Sequence, residues 1–338
     1  MHSGAAFEPP NACLKFLWRP PVQRYILRRL LLMIPTLLGV TFVVFVMVRA
    51  VPGDVIDQIL GDYGAGDTAT KEALRKEYSL DGNIVTQYVR WMGDVVQLDF
   101  GKSVISNRTV MSELRHRLPV TMELGLLAVL FSLAIALPIG ILSAIRQDSI
   151  ADYASRSLAI SLLAVPGFWV GLMLITMAGR YFTWGVPPKN YINFVDNPIG
   201  NLKMMAMPSM ILGAALSGSV MRFTRSAMLE VLRQDYVRTA WSKGLRERVI
   251  ITRHVMRNAL IPVVTVVGLQ LPILVGGTVI IEQVYSIPGM GRYYISSVNQ
   301  LDYPVIQAIN VIVALVVVFA NLGVDLLYSV LDPRIRYS

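Results

Sequence analysis

Residues 124–145 read LGLLAVLFSLAIALPIGILSAI, a run without a single charged side chain. A helix needs about 20 apolar residues to cross the ~30 Å hydrocarbon core of a bilayer, so this run is long enough to span one. Similar uncharged runs occupy residues 30–48, 157–179, 204–221, 258–281 and 303–324. The pattern predicts an all-α membrane protein with six transmembrane helices.

The composition supports the same fold class. The chain has 338 residues, of which 54% are hydrophobic and 16% charged, and its mean hydropathy is +0.54. A soluble domain carries about 25% charged residues and has no place to bury six helices that lack a polar face. The run at 30–48 is followed by no small-residue cleavage site, so we expect it to remain as a first span and not to act as a signal peptide.

Few residues are suited to bond chemistry or to holding a cofactor. Cys13 is the single cysteine, and the three histidines are too far apart in sequence for a metal-ligand spacing. Gly101, Lys102 and Ser103 resemble the end of a phosphate-binding loop, but the first glycine of that motif is missing. We therefore expect no enzyme activity, no metal, and no ATP bound by this chain itself.

Ionisable residues are absent from the six runs and stand at their ends. Glu123, Arg180, Glu282 and Asp325 are interpreted as interfacial anchors. Ion-coupled carriers usually bury such groups near mid-membrane, so this distribution argues against an ion-coupled secondary carrier or channel. A membrane scaffold that binds lipids or partners without transport is a further alternative.

The distribution of Lys and Arg predicts the orientation. Residues 222–257 carry nine of them and residues 282–302 carry one, so the positive-inside rule places the first segment and both termini in the cytoplasm. The predicted order is cytoplasmic tail 1–29, span 30–48, external segment 49–120, span 121–145, cytoplasmic loop 146–156, span 157–181, external loop 182–203, span 204–224, cytoplasmic loop 225–257, span 258–281, external segment 282–303, span 304–328 and cytoplasmic tail 329–338.

The predicted external segment 49–120 contains Gly/Asp-rich turns and a predicted helix at 71–78. A second helical stretch within it, VTQYVRWMGDVVQL at 85–98, is amphipathic. Its apolar face consists of Val85, Val89, Met92 and Val96. This face could contact lipid headgroups or a partner protein, and the sequence favours neither.

The basic block QDYVRTAWSKGLRERVIITRH, residues 234–254, separates two apolar runs. Apolar residues about four apart predict an amphipathic helix ahead of Gly244. Glycine readily takes a left-handed conformation, so Gly244 is predicted to end that helix, after which helical spacing resumes toward the run at 258. On the residues alone, anchoring to anionic lipids and docking to a cytoplasmic partner are equally open.

Within this block, YVRTAWSKGL at 236–245 resembles the EAA loop of binding-protein-dependent ABC importers, in the form found in dipeptide, oligopeptide and nickel permeases. Trp241 and Ser242 depart from the usual Arg-Ala. Other phrases resemble the same family in order: FVVFVMVRAVPGD at 42–54, LPVTMELG at 118–125, RHVMRNALIPVV at 253–264, EQVYSIPGMGRYYISSVNQLDYPV at 282–305 and LLYSVLDPRIR at 326–336. The long segment after the first span is typical of the B-type permease.

The resemblance implies the type I ABC importer permease fold and a coupling helix that sits in a groove of an ATPase subunit. The implied coupling residues are Asp235, Tyr236, Arg238, Thr239, Ala240, Trp241, Lys243, Gly244 and Leu245. Tyr236, Ala240 and Trp241 are expected to supply apolar contact with the ATPase. Gly244 is expected to form the turn, and Arg238 and Lys243 to meet acidic groups of the ATPase.

A second motif, SIPGMGRYYISSVNQLDYP, lies between the last two runs. Its Pro288, Gly289, Gly291 and Asp302 are candidates for an external gate or a contact with the solute-binding protein, although a purely structural re-entrant turn is the alternative. The helical pattern predicts that Tyr294, Val298 and Leu301 face the protein and that Ser296 and Asn299 face water.

The resemblance also implies partners, location and mechanism. The expected partners are a second homologous permease in a heterodimer, two cytoplasmic ATPases that bind ATP and Mg²⁺, an external solute-binding protein and membrane lipids, with no nucleic acid. The expected location is the inner membrane, and the expected mechanism is alternating access. Di- or oligopeptides are the expected solute, with nickel chelates and sugars as open alternatives.

Overall fold

The computed structural model describes residues 20–50, 83–181, 186–187 and 190–331. This part of the chain is almost entirely helical, with one isolated β-bridge between Lys102 and Thr109. Its main helices are α1 (Pro20–Ala50), α2 (Ile84–Val96), α3 (Val110–Ile145), α4 (Ile150–Ala164), α5 (Gly167–Tyr181), α6 (Pro198–Leu232), α7 (Asp235–Ser242), α8 (Met256–Val284), α9 (Met290–Asn299) and α10 (Tyr303–Leu331). The turn Glu247–Val249 and the π-helix Ile250–Val255 lead into α8.

The prediction of an all-α membrane protein is confirmed. Within the described residues, five helices are long and apolar enough to cross a membrane: α1, α3, α6, the helix that runs from Glu247 into α8, and α10. The pair α4 and α5 forms a sixth candidate span, bent by 91° at its break. Each predicted run therefore lies on a helix or on this bent pair.

The bend between α4 and α5 has a local cause at Pro166. A proline disfavours the helical conformation of the residue before it, and Val165 is extended at φ −89° and ψ 123°. At the other end of α4, the side chain of Ser149 accepts a hydrogen bond from the backbone N–H of Asp152 and caps the helix. Helix α4 thus begins at Ile150, inside the segment 146–156 predicted as a loop.

Several helices also extend beyond the apolar runs. Helix α3 starts at Val110, where an ion pair between Arg117 and Glu113 at 2.8 Å supports its first turns. Helix α6 continues to Leu232, into the predicted loop 225–257. Hydropathy marks only the part of a helix that crosses the bilayer, so polar extensions escape it. The predicted helix 71–78 lies outside the described residues.

The bundle is organised around α3 and α6, which pack against each other over much of their length. Small residues allow the close approach: a Cβ at Gly213 would lie 2.5 Å from the carbonyl oxygen of Ala128. Helix α8 packs against α6 and α10, and α10 against α1, where Arg29 and Asp325 form an ion pair at 3.2 Å. We call the end that carries α7 the basic end and the end that carries α2 and α9 the opposite end.

Candidate functional site

Helix α7, at the basic end, is anchored by one apolar face. Asp235 lies in its first turn, where a negative charge complements the helix dipole. Val237 and Ala240 are buried, at 0% and 6% exposure, in a cluster formed with α3, α6, the π-helix and α8. The other members of this cluster are Ala144, Met228, Ile250, Val255 and Ala259. Helix α7 is therefore fixed to the transmembrane bundle.

Gly244 ends α7 with the backbone geometry that the sequence predicts. Its φ is +73°, in the left-handed region. The N–H of Gly244 donates to the carbonyl of Trp241 at 2.9 Å, and the N–H of Leu245 donates to that of Ala240 at 3.4 Å. These two bonds form a Schellman turn. The predicted succession of helix, glycine break and helix is confirmed.

A side-chain hydrogen bond joins α7 to α8 across this turn. The Asn258 side-chain amide donates to the hydroxyl of Tyr236 at 2.9 Å and to the carbonyl oxygen of His254 at 3.1 Å. His254 belongs to the π-helix, a distortion that recurs at functional sites. Asn258 lies in the family-like phrase RHVMRNALIPVV, but no pattern in the sequence indicated this contact.

The remaining predicted coupling residues are exposed. Tyr236, Trp241 and Leu245 present large apolar surface at 44%, 46% and 38% exposure. The exposed polar members are Asp235, Arg238, Thr239 and Lys243. Arg238 lies 3.8 Å from Asp235 on the same helix. We call Tyr236, Arg238, Trp241, Lys243 and Leu245 the coupling face.

Ala240 requires a correction. The resemblance implied that it contacts an ATPase, but its side chain packs inside this chain's own cluster beside Val237. The physical reason is helical periodicity: Val237 and Ala240 are three residues apart and so lie on one face, which the bundle covers. Val237 was missed because the predicted apolar face of this helix consisted of residues 236, 240 and 241. The apolar contact that remains available comes from Tyr236, Trp241 and Leu245.

At the opposite end, Glu282 closes the N-terminus of α9. Its carboxylate accepts hydrogen bonds from the Thr121 hydroxyl at 2.7 Å and from the Arg292 N–H at 3.0 Å. The same Thr121 oxygen accepts from the Met290 N–H at 2.8 Å. A carboxylate at a helix N-terminus satisfies amides that have no partner within the helix. Glu282 thus joins α8, α3 and α9.

The interpretation of Glu282 as an interfacial anchor is wrong, because its side chain is 0% exposed. Burial depends on α9 folding back over the end of α8, which hydropathy does not reveal. Of the other three predicted anchors, Arg180 is exposed near the end of α5 and Asp325 is partly buried in the last turns of α10. Glu123 is partly buried in the middle of α3, away from either end of that helix. Asp325 pairs with Arg29, Glu123 accepts from the Tyr191 hydroxyl at 3.3 Å, and Arg180 lies over the ring of Tyr181.

Gly289 and Gly291, in the motif between α8 and α10, are required by contact with α8. A Cβ at Gly289 would overlap the Glu282 carboxylate, and one at Gly291 would lie 2.5 Å from the Cα of Val279. Pro288 is half-buried beside them. Three of the predicted gate residues, Pro288, Gly289 and Gly291, therefore lie around Glu282. The sequence had predicted Glu282 to be an interfacial anchor.

Asp302, the fourth predicted gate residue, fixes the other end of α9. It is buried and accepts hydrogen bonds from the Ser103 hydroxyl and, at 3.2 Å, from the Val104 N–H. Ser103 belongs to the segment that resembles the end of a phosphate-binding loop, and its hydroxyl is engaged in this contact. Ser296 and Asn299 are exposed as predicted, but Val298 is also exposed and Ser297 is buried in its place.

A buried ion pair near the basic end was also missed. Asp152 is 0% exposed and accepts from Arg225 Nε at 2.7 Å and Nη2 at 2.8 Å, from the Ser143 hydroxyl, and from the Asp148 N–H at 3.1 Å. The contacts join α3, α4 and α6. The capping pattern of Ser149 followed three residues later by an acid could have indicated the helix start, but not the arginine.

Helix α8 connects these two sites. It carries Asn258 beside α7 near its start and Glu282 beside α9 near its end, about 36 Å apart at ~1.5 Å per residue. A continuous helix therefore joins the surroundings of α7 to those of α9. Within the described residues, no three His, Cys, Asp or Glu side chains converge as a metal site. The arrangement is suited to mechanical transmission.

Comparison with known proteins gives the family. Residues 136–337 match the family of binding-protein-dependent transport system inner membrane components, and residues 22–125 match its N-terminal region. The chain is 41% identical to the oligopeptide transport system permease protein AppB of Bacillus subtilis, covering 93% of this chain and 99% of that protein. It is 36% identical to the dipeptide transport system permease protein DppB of Escherichia coli K12, with the same coverage.

Among solved structures, a chain of the inward-facing MetNI methionine ABC transporter is similar at 13% identity and a TM-score of 0.49, covering 66% of this chain and 97% of that one. The family assignment rests on the sequence matches, which span nearly the whole chain. The chain belongs to the family of inner membrane components of binding-protein-dependent transport systems.

Proposed function

We propose that this chain is the membrane-spanning permease subunit of an ABC importer and that the coupling face is the surface on which an ATPase subunit acts. The observation that carries the proposal is that α7 has one buried face and one exposed face. One face, with Val237 and Ala240, is built into the bundle, while Tyr236, Trp241 and Leu245 remain exposed. A helix held in this way passes a displacement imposed by a bound ATPase directly to α8.

The chemistry of the coupling face suits a protein partner. Exposed aromatic residues in a basic surrounding are typical of binding hot spots, where an aromatic side chain fills an apolar pocket and charges surround it. Arg238 and Lys243 flank Trp241 and complement an acidic rim on the ATPase. Asp235, Thr239 and Gly244 hold the geometry of the helix and its turn.

The proposed orientation places the basic end in the cytoplasm together with both termini, in agreement with the positive-inside rule. Helices α2 and α9 then lie on the external side. In this arrangement the coupling face meets cytoplasmic ATPases, and α9 with Pro288, Gly289, Gly291 and Asp302 lies where solute enters. The predicted boundaries of spans and loops are retained as part of the proposal.

The proposed solute is a di- or oligopeptide, because the relatives from Bacillus subtilis and Escherichia coli are named as oligopeptide and dipeptide permeases. The transporter contains a second, homologous permease, two ATPases that bind ATP and Mg²⁺, and an external solute-binding protein. This chain contributes the path and binds no cofactor.

The mechanism is alternating access driven through α8. When the ATPases close, they displace α7, and Val237, Ala240 and the Tyr236–Asn258 hydrogen bond pass the displacement to α8. The far end of α8 carries Glu282, which holds α9 through Thr121 and the amide of Arg292. The external segment therefore moves with the coupling helix.

The test is reconstitution of the complete transporter, co-expressed from its own operon, in proteoliposomes. We expect ATP-dependent uptake of a labelled dipeptide that requires the solute-binding protein. Trp241→Glu is expected to abolish stimulation of ATP hydrolysis by that protein, whereas Ser242→Glu, which adds the same charge one residue later, is expected to retain most of it. Recovery of the chain without any ATPase under mild extraction would contradict the proposal.

A further inference from the structure

Helix α2 has three distinct faces, and its apolar face is not the one that packs against the protein. The packed face consists of Gln87, Tyr88, Trp91 and Val95. Next to it, Val85, Val89 and Val96 are 64%, 63% and 76% exposed, with Met92 half-buried at the edge. The remaining exposed face is polar and carries Thr86, Arg90, Asp94 and Gln97. An exposed apolar strip beside a polar one requires an explanation.

The packed face fixes α2 firmly to the C-terminal half of α1. The Tyr88 hydroxyl donates to the Leu38 carbonyl at 3.1 Å, and its ring meets Phe42 and Phe45 edge-on at 5.4 and 5.3 Å. The ring of Trp91 lies 5.5 Å from that of Phe45. Aromatic pairs of this geometry add stability beyond their buried area. The rotation of α2 about its axis is therefore set.

The contact with α1 places α2 at membrane depth. The candidate span of α1 ends at Arg49, whose Nε donates to Oε1 of Gln87 at 2.9 Å. Leu38 precedes Arg49 by about 16 Å along the helix at ~1.5 Å per residue. The hydrocarbon core extends only about 15 Å from its edge to its centre. A helix that reaches Leu38 through Tyr88 cannot stand clear of the bilayer.

The exposed surface of α1 continues onto α2. Phe42 is 49% exposed and touches Tyr88, and Val43 and Met47 of the same helix are 53% and 65% exposed. Because α1 spans the membrane, this surface lies at the depth of the acyl chains. The apolar strip of α2 extends it without interruption, while Asp94 and Gln97 lie on a different side of α2.

We propose that α2 is an interfacial helix whose apolar strip of Val85, Val89 and Val96 inserts among the acyl chains of membrane phospholipids. Its polar face lies toward the headgroups and water, the arrangement expected of an amphipathic helix in the plane of the membrane. From the sequence alone, this face could contact either lipid or a partner protein. In this proposal it contacts lipid. The inference requires that α1 spans the bilayer and that no other subunit covers this surface, and it does not depend on the proposed transport activity.

Site-directed spin labelling tests the depth of each face. Cys13 is the only cysteine of this chain, so Cys13→Ser, assembled with cysteine-free partner subunits, provides a background for single cysteines at positions 85, 89 and 96 and, as matched controls, at Thr86 and Gln97. Each variant is labelled with a nitroxide in the complete transporter, in nanodiscs of phosphatidylethanolamine and phosphatidylglycerol. Accessibility to oxygen, which concentrates in hydrocarbon, is compared with accessibility to a water-soluble nickel chelate.

We expect an oxygen-to-nickel accessibility ratio above one at 85, 89 and 96 and below one at 86 and 97. If all five positions favour nickel, the strip faces water and the proposal is overturned. Low accessibility to both reagents at 85, 89 and 96, with immobilised spectra, identifies contact with a protein partner and also overturns it. If one labelled position prevents assembly, the other two positions of the strip decide.

Discussion

The hydroxyl of Tyr236 lies 2.9 Å from the side-chain nitrogen of Asn258, and this bond connects α7 to α8, the helix that reaches the opposite end of the bundle. The Asn258 amide also donates to the carbonyl oxygen of His254 in the π-helix, and this second bond helps to orient it toward Tyr236. Tyr236 therefore has two parts: an exposed ring that a partner can contact and a hydroxyl that is tied to α8.

The first prediction separates these parts. Tyr236→Phe retains the ring and removes the hydroxyl, at an expected cost of about 0.5–1.5 kcal/mol for one hydrogen bond. We expect a reduced stimulation of ATP hydrolysis by the solute-binding protein, with basal hydrolysis retained. Asn258→Ala should give a similar reduction, and the double variant should be no worse than either single one. Additive losses would show that the bond is not the connection.

The second prediction concerns Gly244, whose φ of +73° is the reason for its identity. A Cβ there would meet no heavy atom within 4 Å, so any penalty comes from the backbone and not from crowding. A left-handed conformation costs an ordinary residue about 1–2 kcal/mol, while asparagine adopts it several times more readily than most. Gly244→Val should therefore reduce stimulated ATP hydrolysis strongly, and Gly244→Asn only slightly. Equal damage by both would indicate that a partner fills the space at this position.

Local features of the sequence were sufficient to predict the spans and the turn. Apolar runs identify bilayer-crossing helices because every backbone amide in hydrocarbon must be satisfied within the segment. Gly244 could be predicted because the turn involves only its neighbours. The buried face of α7 was harder to predict. Its helical pattern is correct, but the face that packs inward depends on residues of α3, α6 and α8 that are distant in sequence.

Glu282 and α2 show where sequence reasoning fails. A carboxylate at the end of an apolar run is indistinguishable from an interfacial anchor until α9 folds back over it and supplies amide donors. The apolar valines of α2 were identified correctly as one face. They are exposed because Tyr88 and Trp91, on a different face, pack against α1 instead. Aromatic residues bury more area each than valine, and here they occupy the protein interface.

The third prediction concerns Thr121, whose hydroxyl lies between the Glu282 carboxylate and the Met290 N–H. Thr121→Val keeps the shape but leaves one buried acceptor and one buried donor each without this partner. The expected loss of stability is about 1–3 kcal/mol, measured by thermal unfolding of the purified complex. Thr121→Ser retains the hydroxyl and should restore most of it. A Val variant as stable as the original would show that α9 is not held through this oxygen.

The fourth prediction concerns the pair of Asp152 and Arg225, which joins three helices near the basic end. Asp152→Asn removes the charge from a fully buried site and leaves the guanidinium, which is only partly exposed, with a neutral partner. Losing the charged partner is expected to cost about 1–3 kcal/mol, because the guanidinium loses its charge-assisted hydrogen bonds but is 22% exposed and keeps access to water. Thermal unfolding of the detergent-purified complex measures the effect.

The matched control is Asp148→Asn, four residues earlier. Asp148 is exposed and left-handed at φ 60°, a conformation that asparagine tolerates, so this variant should unfold at nearly the same temperature as the original. The combined replacement Asp152→Leu with Arg225→Met removes both charges and should recover part of the loss. Replacing both partners of such an ion pair with apolar residues is often tolerated, whereas removing only one leaves an uncompensated charge. If Asp152→Asn is no less stable than Asp148→Asn, the pair does not hold α4 to α6.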